Sequence, residues 1–192
     1  MDFVDSNMPS WFQDILNNND NCMVQVKEWD DEQSRSLDGF KGVDFCHSAS
    51  ASVRILKYVL LPNSNGGIHN SNCEEKEAPV LIAPVHFTPK AESGRGYCHG
   101  GSMCAIMDDA IGWMGFCCTG SVKPWAGYTV QVNTSLKKSV KVNSILKLIV
   151  WVDRLEGSRK VWIGCKLVDP DDENIIHCEG NGLFLHETKK IK

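Results

Sequence analysis

The longest apolar run of the chain covers residues 103–118 and is broken only by two adjacent acids and by glycines. A run of this length is typical of a buried helix. Two β-rich segments precede it, 51–61 and 78–87, and four more follow it at 128–136, 144–154, 160–168 and 175–185. Strands, one long helix and then a four-strand meander predict an α+β fold with an antiparallel sheet.

The N-terminal part has a different pattern. Residues 9–17 predict a short helix with Trp11, Phe12, Ile15 and Leu16 on one face. We expect this helix to lie over the domain or a dimer partner; the alternative is a membrane-surface or partner-binding helix, which its lack of basic residues disfavours. Residues 23–50 are polar and are interpreted as a linker. The predicted organisation is therefore an N-terminal helix and linker over 1–50 and a main domain over 51–192.

Composition narrows the classes of function. The chain has 192 residues, 42% of them hydrophobic, and a net charge of −4. It has no basic stripe, so we expect no nucleic-acid partner, and no apolar run long enough to span a bilayer. The N-terminal sequence lacks signal and transit features, so we expect a cytoplasmic location and leave a mitochondrial one open.

Nine cysteines are present without any C-x-x-C pair. This pattern indicates buried structural thiols in a reducing compartment and no metal site. A disulfide framework or a metal site is the alternative that we consider.

The start of the long helix carries His99-Gly100-Gly101. Glycines let a ligand approach the backbone closely, and the first N–H groups of a helix favour an anion or a developing oxyanion. Asp108 lies nine residues after His99, about 13 Å further along the helix. That distance is too long for one shared reaction centre, so Asp108 would serve an antiparallel copy of the helix. The spacing therefore predicts a two-fold dimer with shared sites.

His-Gly-Gly, six residues and Asp together resemble the signature of hot-dog-fold acyl-CoA thioesterases, with the spacing of the phenylacetate-type and 4-hydroxybenzoyl-type branches. The run from Asp108 to Gly112 is most similar to the eukaryotic thioesterase-superfamily-member proteins. The resemblance implies a dimeric hot-dog fold, in which an antiparallel sheet wraps around one long central helix. It also implies hydrolysis of a medium- or long-chain fatty acyl-CoA or an aryl acyl-CoA, within fatty acid and lipid metabolism, with no cofactor other than the CoA of the substrate.

The resemblance also assigns roles to residues. It places the oxyanion hole at Gly100 and Gly101, and makes Asp108 the base or nucleophile. Thr129 would hold the attacking water; alternatively it is an ordinary strand threonine. His99 would brace the turn, with direct acid catalysis as the alternative.

Four basic residues at strand ends are candidates for contact with the phosphates of CoA, the alternative being a solvated surface: Lys137, Lys138, Arg159 and Lys160. Small residues of the helix, Ala105, Gly112 and Gly115, are expected to leave room for an acyl tunnel.

Two other functions stay open at this point. One is a non-catalytic acyl-CoA-binding or regulatory protein of the same fold. The other is a dehydratase acting on a 3-hydroxyacyl thioester, which is disfavoured because His177 and His186 lie late in the final strand. The assembly is expected to be a homodimer or a homotetramer.

Overall fold

A computed structural model describes residues 8–18, 23–24, 32–61, 79–118 and 123–187. Three α-helices lie in these ranges: α1 (Ser10–Asn18), α2 (Glu32–Leu37) and α3 (Gly100–Cys117). A short 3-10 helix covers Pro89–Ala91. The strands in chain order are β1 (Met23–Val24), β2 (Val53–Ile55), β3 (Tyr58–Leu61), β4 (Val80–Phe87), β5 (Glu92–Gly94), β6 (Tyr97–Cys98), β7 (Gly127–Leu136), β8 (Ser144–Glu156), β9 (Lys160–Val168) and β10 (Ile176–His186).

Eight of these strands form one antiparallel sheet in the order β1-β3-β4-β8-β9-β10-β7, with β2 also paired to β4. Strands β5 and β6 form a small separate hairpin that leads into α3. The strand β7, which follows α3 in the chain, lies at one edge of the sheet and pairs only with β10 in the described part. The predicted α+β architecture with an antiparallel sheet is confirmed.

Helix α3 packs against the sheet through strands β7, β8, β9 and β10. Ten of its residues are buried, including Met107, Ile111 and Met114. At Gly115 a Cβ atom would overlap the ring of Phe184, so the helix backbone lies directly on that ring. The acyl tunnel that was expected beside Gly115 is therefore filled by Phe184.

Pro84 explains an interruption in the sheet. It lies in β4 opposite the gap between β2 and β3, where its carbonyl accepts a hydrogen bond from the Leu56 N–H. The N–H that proline lacks would point to the same side as this carbonyl, so the pairing of β4 with β8 loses no hydrogen bond. Pro84 thus lies inside the sheet, in a strand that pairs on both sides.

The N-terminal segments are part of this structure. In α1, Phe12 is fully buried against Met8 and Val59, which confirms that this helix packs on the domain. Strand β1 pairs with β3, and Cys46 and His47 are buried beside α3. The sheet and core therefore extend across the predicted boundary at residue 50.

The seven cysteines in the described ranges are all free thiols. Burial raises the pKa of Cys117 and of Cys178 to about 12, so both thiols are protonated at neutral pH. None of the helices in those same ranges has the length and apolar character needed to cross a bilayer.

Candidate active site

The Gly100 N–H is a free backbone donor in the first turn of α3. His99 is the N-cap residue, and its Nδ1 accepts a hydrogen bond of 2.8 Å from the Gly101 N–H. The His99 carbonyl accepts hydrogen bonds from the Ser102 N–H and hydroxyl, at 3.0 and 2.6 Å. Among the described residues the Gly100 N–H has no such acceptor, so it is the donor available to an oxyanion.

The contact of His99 bears on its two predicted roles, bracing the turn and acting as a catalytic acid. Its ring caps the helix, as expected for a brace. This leaves Gly101 little space: a Cβ at that position would lie 2.7 Å from His99 Nδ1. The Gly101 N–H, which was assigned to the oxyanion hole, is engaged by the ring in this structure.

Asp108 and Thr129 meet at a groove of about 560 Å³ between α3 and β7. Cys104 and Thr134 line the same groove. The Asp108 side chain is exposed at the groove. Partial burial and the negative charge of Asp109 raise the pKa of Asp108, while a hydrogen bond with Thr129 acts in the opposite direction. A carboxylate with a raised pKa beside a hydroxyl has the chemistry of a general base.

The two halves of the predicted site do not converge within one chain. Gly100 and Asp108 are eight residues apart on α3, about 12 Å along its axis. His99 and Gly101 line a second cavity of about 520 Å³, whose lining residues do not overlap with those of the Asp108 groove. A reaction centre that uses both halves therefore requires a second copy of the chain.

Comparisons with known proteins show which proteins this chain is similar to. No family model matches the chain. The acyl-coenzyme A thioesterase THEM4 of Bos taurus is 33% identical over 114 residues, 59% of this chain and 43% of the relative. THEM5 of Mus musculus, also an acyl-coenzyme A thioesterase, is 25% identical over 58% of this chain and 41% of its own length. The chain thus matches less than half the length of these relatives.

Among solved structures, YhdA of Lactococcus lactis, described as a candidate thioesterase, superposes with a TM-score of 0.52. The match has 10% identity and covers 68% of this chain and 92% of YhdA. The chain has the hot-dog fold and is related to acyl-CoA thioesterases. The fold implied by the His-Gly-Gly and Asp108 motif is therefore confirmed.

A buried polar cluster of this hot-dog protein lies next to Asp108 and was not among the predicted site residues. Asp109 Oδ2 accepts hydrogen bonds from the Tyr58 hydroxyl at 3.0 Å and from His47 Nε2 at 3.2 Å. Tyr58 is fully buried, and the rings of His47, Tyr58 and Trp113 contact one another. Burial and the charge of Asp109 raise the pKa of Tyr58, which keeps its hydroxyl a donor.

One signal for this cluster was present in the sequence. Phe40, Val43, Phe45 and Cys46 form an apolar pattern inside the polar stretch that was interpreted as a linker. The pattern indicates that part of this stretch packs on the domain. It does not identify which partner His47 contacts.

The four basic candidates for CoA contact fall into two separate pairs. Lys137 and Lys138 follow the end of β7 nearest Gly100, whereas Arg159 and Lys160 lie at the level of Tyr128. Seven residues of β10, about 24 Å, separate these levels. Within one protomer the pairs therefore cannot serve one phosphate group.

Three of the four basic side chains also have partners inside the chain. Lys137 pairs with Glu179 at 3.2 Å, Lys160 with Glu156 at 2.6 Å, and Arg159 Nε donates to the His186 carbonyl. These exposed ion pairs are weak, so they do not prevent exchange for a phosphate.

Proposed function

We propose that this chain is an acyl-CoA thioesterase that hydrolyses a thioester to a carboxylic acid and CoA. The observation that carries the proposal is the pairing of Asp108 with Thr129 in an open groove, on the same helix that leaves the Gly100 N–H free at its start. The similarity to THEM4 and THEM5 supports the reaction class.

The proposed reaction begins with a water held between Asp108 and the hydroxyl of Thr129. Asp108 takes one proton from this water, and the hydroxide attacks the thioester carbonyl carbon. The carbonyl oxygen becomes an oxyanion that accepts a hydrogen bond from Gly100 of the partner subunit. When the tetrahedral intermediate collapses, the C–S bond breaks, and the proton on Asp108 passes to the departing CoA sulfur. This scheme uses no metal and no redox cofactor.

Attack by the Asp108 carboxylate itself is the second form of the same proposal. It would give an acyl-aspartyl anhydride, which water then hydrolyses. A single turnover in ¹⁸O-water tests this form: ¹⁸O in the Asp108 carboxyl group would show an anhydride hydrolysed at its aspartyl carbon, because direct attack of water labels only the product acid.

The exposed edge of β7 supports the proposed homodimer. This ten-residue strand lacks a described neighbour on one side, and Tyr128, Val130 and Leu136 expose apolar surface along it. An open strand edge with apolar side chains is a site for pairing with another chain. A two-fold axis beside β7 would bring the Asp108 groove of one subunit toward the start of α3 in the other.

The proposal also includes the substrate and the contacts of its CoA phosphates. We propose a medium- or long-chain fatty acyl-CoA as substrate, with the two basic pairs steering its phosphates from different subunits. A place in fatty acid metabolism, a homodimer or homotetramer and a cytoplasmic location stay predictions.

The decisive experiment measures CoA release from a panel of acyl-CoAs by chromatography, which avoids interference from the nine cysteines. We expect turnover by the wild-type protein and a fall of about 10² to 10⁴ in kcat for Asp108→Asn. Asp171→Asn, in the exposed β9–β10 turn, is the matched control and should keep full activity. Binding of acyl-CoA without release by the wild type would instead support a non-catalytic acyl-CoA-binding protein.

A further inference from the structure

The second cavity lies beside the start of α3, and part of its wall comes from the N-terminal stretch. Its volume is about 520 Å³, within the range of small-molecule sites. One wall is α3, from Gly101 to Ala105, and another is formed by residues 50–53. Residues 43–45, which we call the strap, line it from the N-terminal side.

The charged groups around this cavity already have partners. Asp44 Oδ1 accepts hydrogen bonds from the Cys46 and His47 N–H groups, and its Oδ2 pairs with Arg35 at 3.3 Å. Lys90 Nζ donates to the Ser50 carbonyl, and Glu92 accepts from the Gly96 N–H. Of these three groups only Asp44 has an oppositely charged partner, whereas Lys90 and Glu92 bind backbone groups and are exposed to solvent.

Apolar side chains at the cavity are unusually exposed. Phe45 is 77% exposed and Val43 is 54% exposed, although both line the cavity together with Val53 and Ala105. Covering such surface with an apolar ligand is favourable in proportion to the area removed from water. The exposure thus fits a wall that is completed when a ligand binds.

The strap is fixed to the helix that carries the candidate site. His47, two residues after the strap, is only 3% exposed and donates a hydrogen bond to Asp109 of α3. The Asp44 side chain closes the turn between them. Phe45 is therefore held on a short, anchored turn whose position relative to α3 is defined.

The cavity adjoins the candidate oxyanion site. His99 and Gly101 line it, and both are neighbours of the free Gly100 N–H. A thioester carbonyl bound at Gly100 would have either its acyl chain or its pantetheine arm beside the cavity, and the apolar side chains of the lining favour the acyl chain.

We propose that this cavity binds the hydrocarbon chain of the acyl group and that Phe45 and Val43 of the strap set the chain length that it accepts. The proposal rests on the proposed thioesterase function for the position of the carbonyl. It adds a specificity role for a stretch that lies outside the predicted main domain.

The test measures binding of S-alkyl-CoA thioethers of increasing chain length, which cannot be hydrolysed, by calorimetry. Affinity should rise about fourfold per methylene group until the cavity is filled, and then stay constant. Phe45→Ala should move this plateau to longer chains, and Phe45→Trp should move it to shorter ones. Leu155→Ala is the control, because Leu155 is 66% exposed but lies at the far end of β8, outside the cavity.

A plateau at the same chain length in wild type, Phe45→Ala and Leu155→Ala overturns the proposal. So does a loss of affinity for unacylated CoA in Phe45→Ala, because the cavity would then hold the pantetheine arm. Parallel assays of acyl-CoA hydrolysis separate the two proposals. If the plateau shifts but no acyl-CoA is hydrolysed, the chain-binding cavity is supported and the thioesterase function is refuted. If acyl-CoA is hydrolysed but the plateau does not shift, the thioesterase function is supported and the chain-binding cavity is refuted.

Discussion

The substitution Gly101→Ala tests how the first turn of α3 contributes to the candidate site. The new Cβ would lie 2.7 Å from His99 Nδ1, closer than such atoms approach, and would make a tight contact of 3.1 Å with His99 Cε1. The ring must therefore move, and its 2.8 Å hydrogen bond with the residue 101 N–H is lost. Because His99 is bonded directly to Gly100, displacement of the cap also shifts the Gly100 N–H.

Two opposing terms keep the effect on stability small. Loss of an N-cap costs about 0.5–2 kcal/mol. Alanine in place of glycine in a helix returns up to about 1 kcal/mol. We therefore expect the free energy of unfolding to change by no more than about 1 kcal/mol in either direction.

Catalysis should respond much more strongly. A misplacement of about 1 Å in a reacting group can cost about 10²-fold in rate, and loss of an oxyanion donor costs about 10² to 10³-fold. We expect kcat for Gly101→Ala to fall by about 10²-fold or more while its denaturant midpoint stays close to that of the wild type.

The assay combines urea unfolding with acyl-CoA hydrolysis for Gly101→Ala and two comparison variants. Gly94→Ala is the control, since a Cβ there meets no atom within 4 Å. His99→Asn tests the brace, because an asparagine side chain also caps a helix, and should keep most activity if His99 only braces the turn. Unchanged kcat in Gly101→Ala would refute the assignment of the oxyanion site to this turn.

Three further predictions concern the neighbouring carboxylates and the core. Asp109→Asn should move the acidic limb of the pH–rate profile to lower pH, because the negative charge of Asp109 adds to the effect of burial in raising the pKa of Asp108. Tyr58→Phe keeps that charge, so it should not move the acidic limb to lower pH. Asp108→Asn should be more stable than the wild type at neutral pH in chemical unfolding. The raised folded-state pKa of Asp108 stabilises the wild type only at low pH and this contribution is lost as the pH rises through that pKa, so the difference should shrink in acid. Gly115→Ala should lower the free energy of unfolding by about 1–3 kcal/mol, because its methyl group would overlap the Phe184 ring.

Local sequence patterns were sufficient to predict the elements that surround the site. The apolar run predicted α3, which begins three residues earlier than the run because His99 caps it. The alternation in the four later segments predicted β7 to β10 within a few residues. The motif from His99 to Asp108 indicated the fold. The structure places Thr129 and Asp108 at one groove, and the roles that the resemblance gives them stay predictions.

Contacts between distant segments were not predictable in the same way. His47 and Asp109 are 62 residues apart, and Tyr58 and Asp109 are 51 apart. No periodicity relates such positions, because their contact depends on where the N-terminal stretch crosses α3. The filling of the Gly115 position by Phe184 has the same origin, since a small residue can mark either an empty channel or a close approach of another side chain.

The adjacent carboxylates Asp108 and Asp109 of α3 combine a role predicted from a local motif with contacts to distant segments. Consecutive residues of a helix are rotated by about 100°, so Asp108 and Asp109 cannot face the same surroundings. Asp108 faces the groove with Thr129, while Asp109 faces His47 and Tyr58. Burial is the main cause of the raised pKa of Asp108, and the charge of Asp109 adds to it. That charge is held in place by hydrogen bonds that include the His47 contact next to the strap. A change in the strap that breaks the His47 contact should therefore alter both the chain-length preference and the acidic limb of the pH–rate profile, whereas Phe45→Ala, which leaves that contact intact, should alter the preference alone.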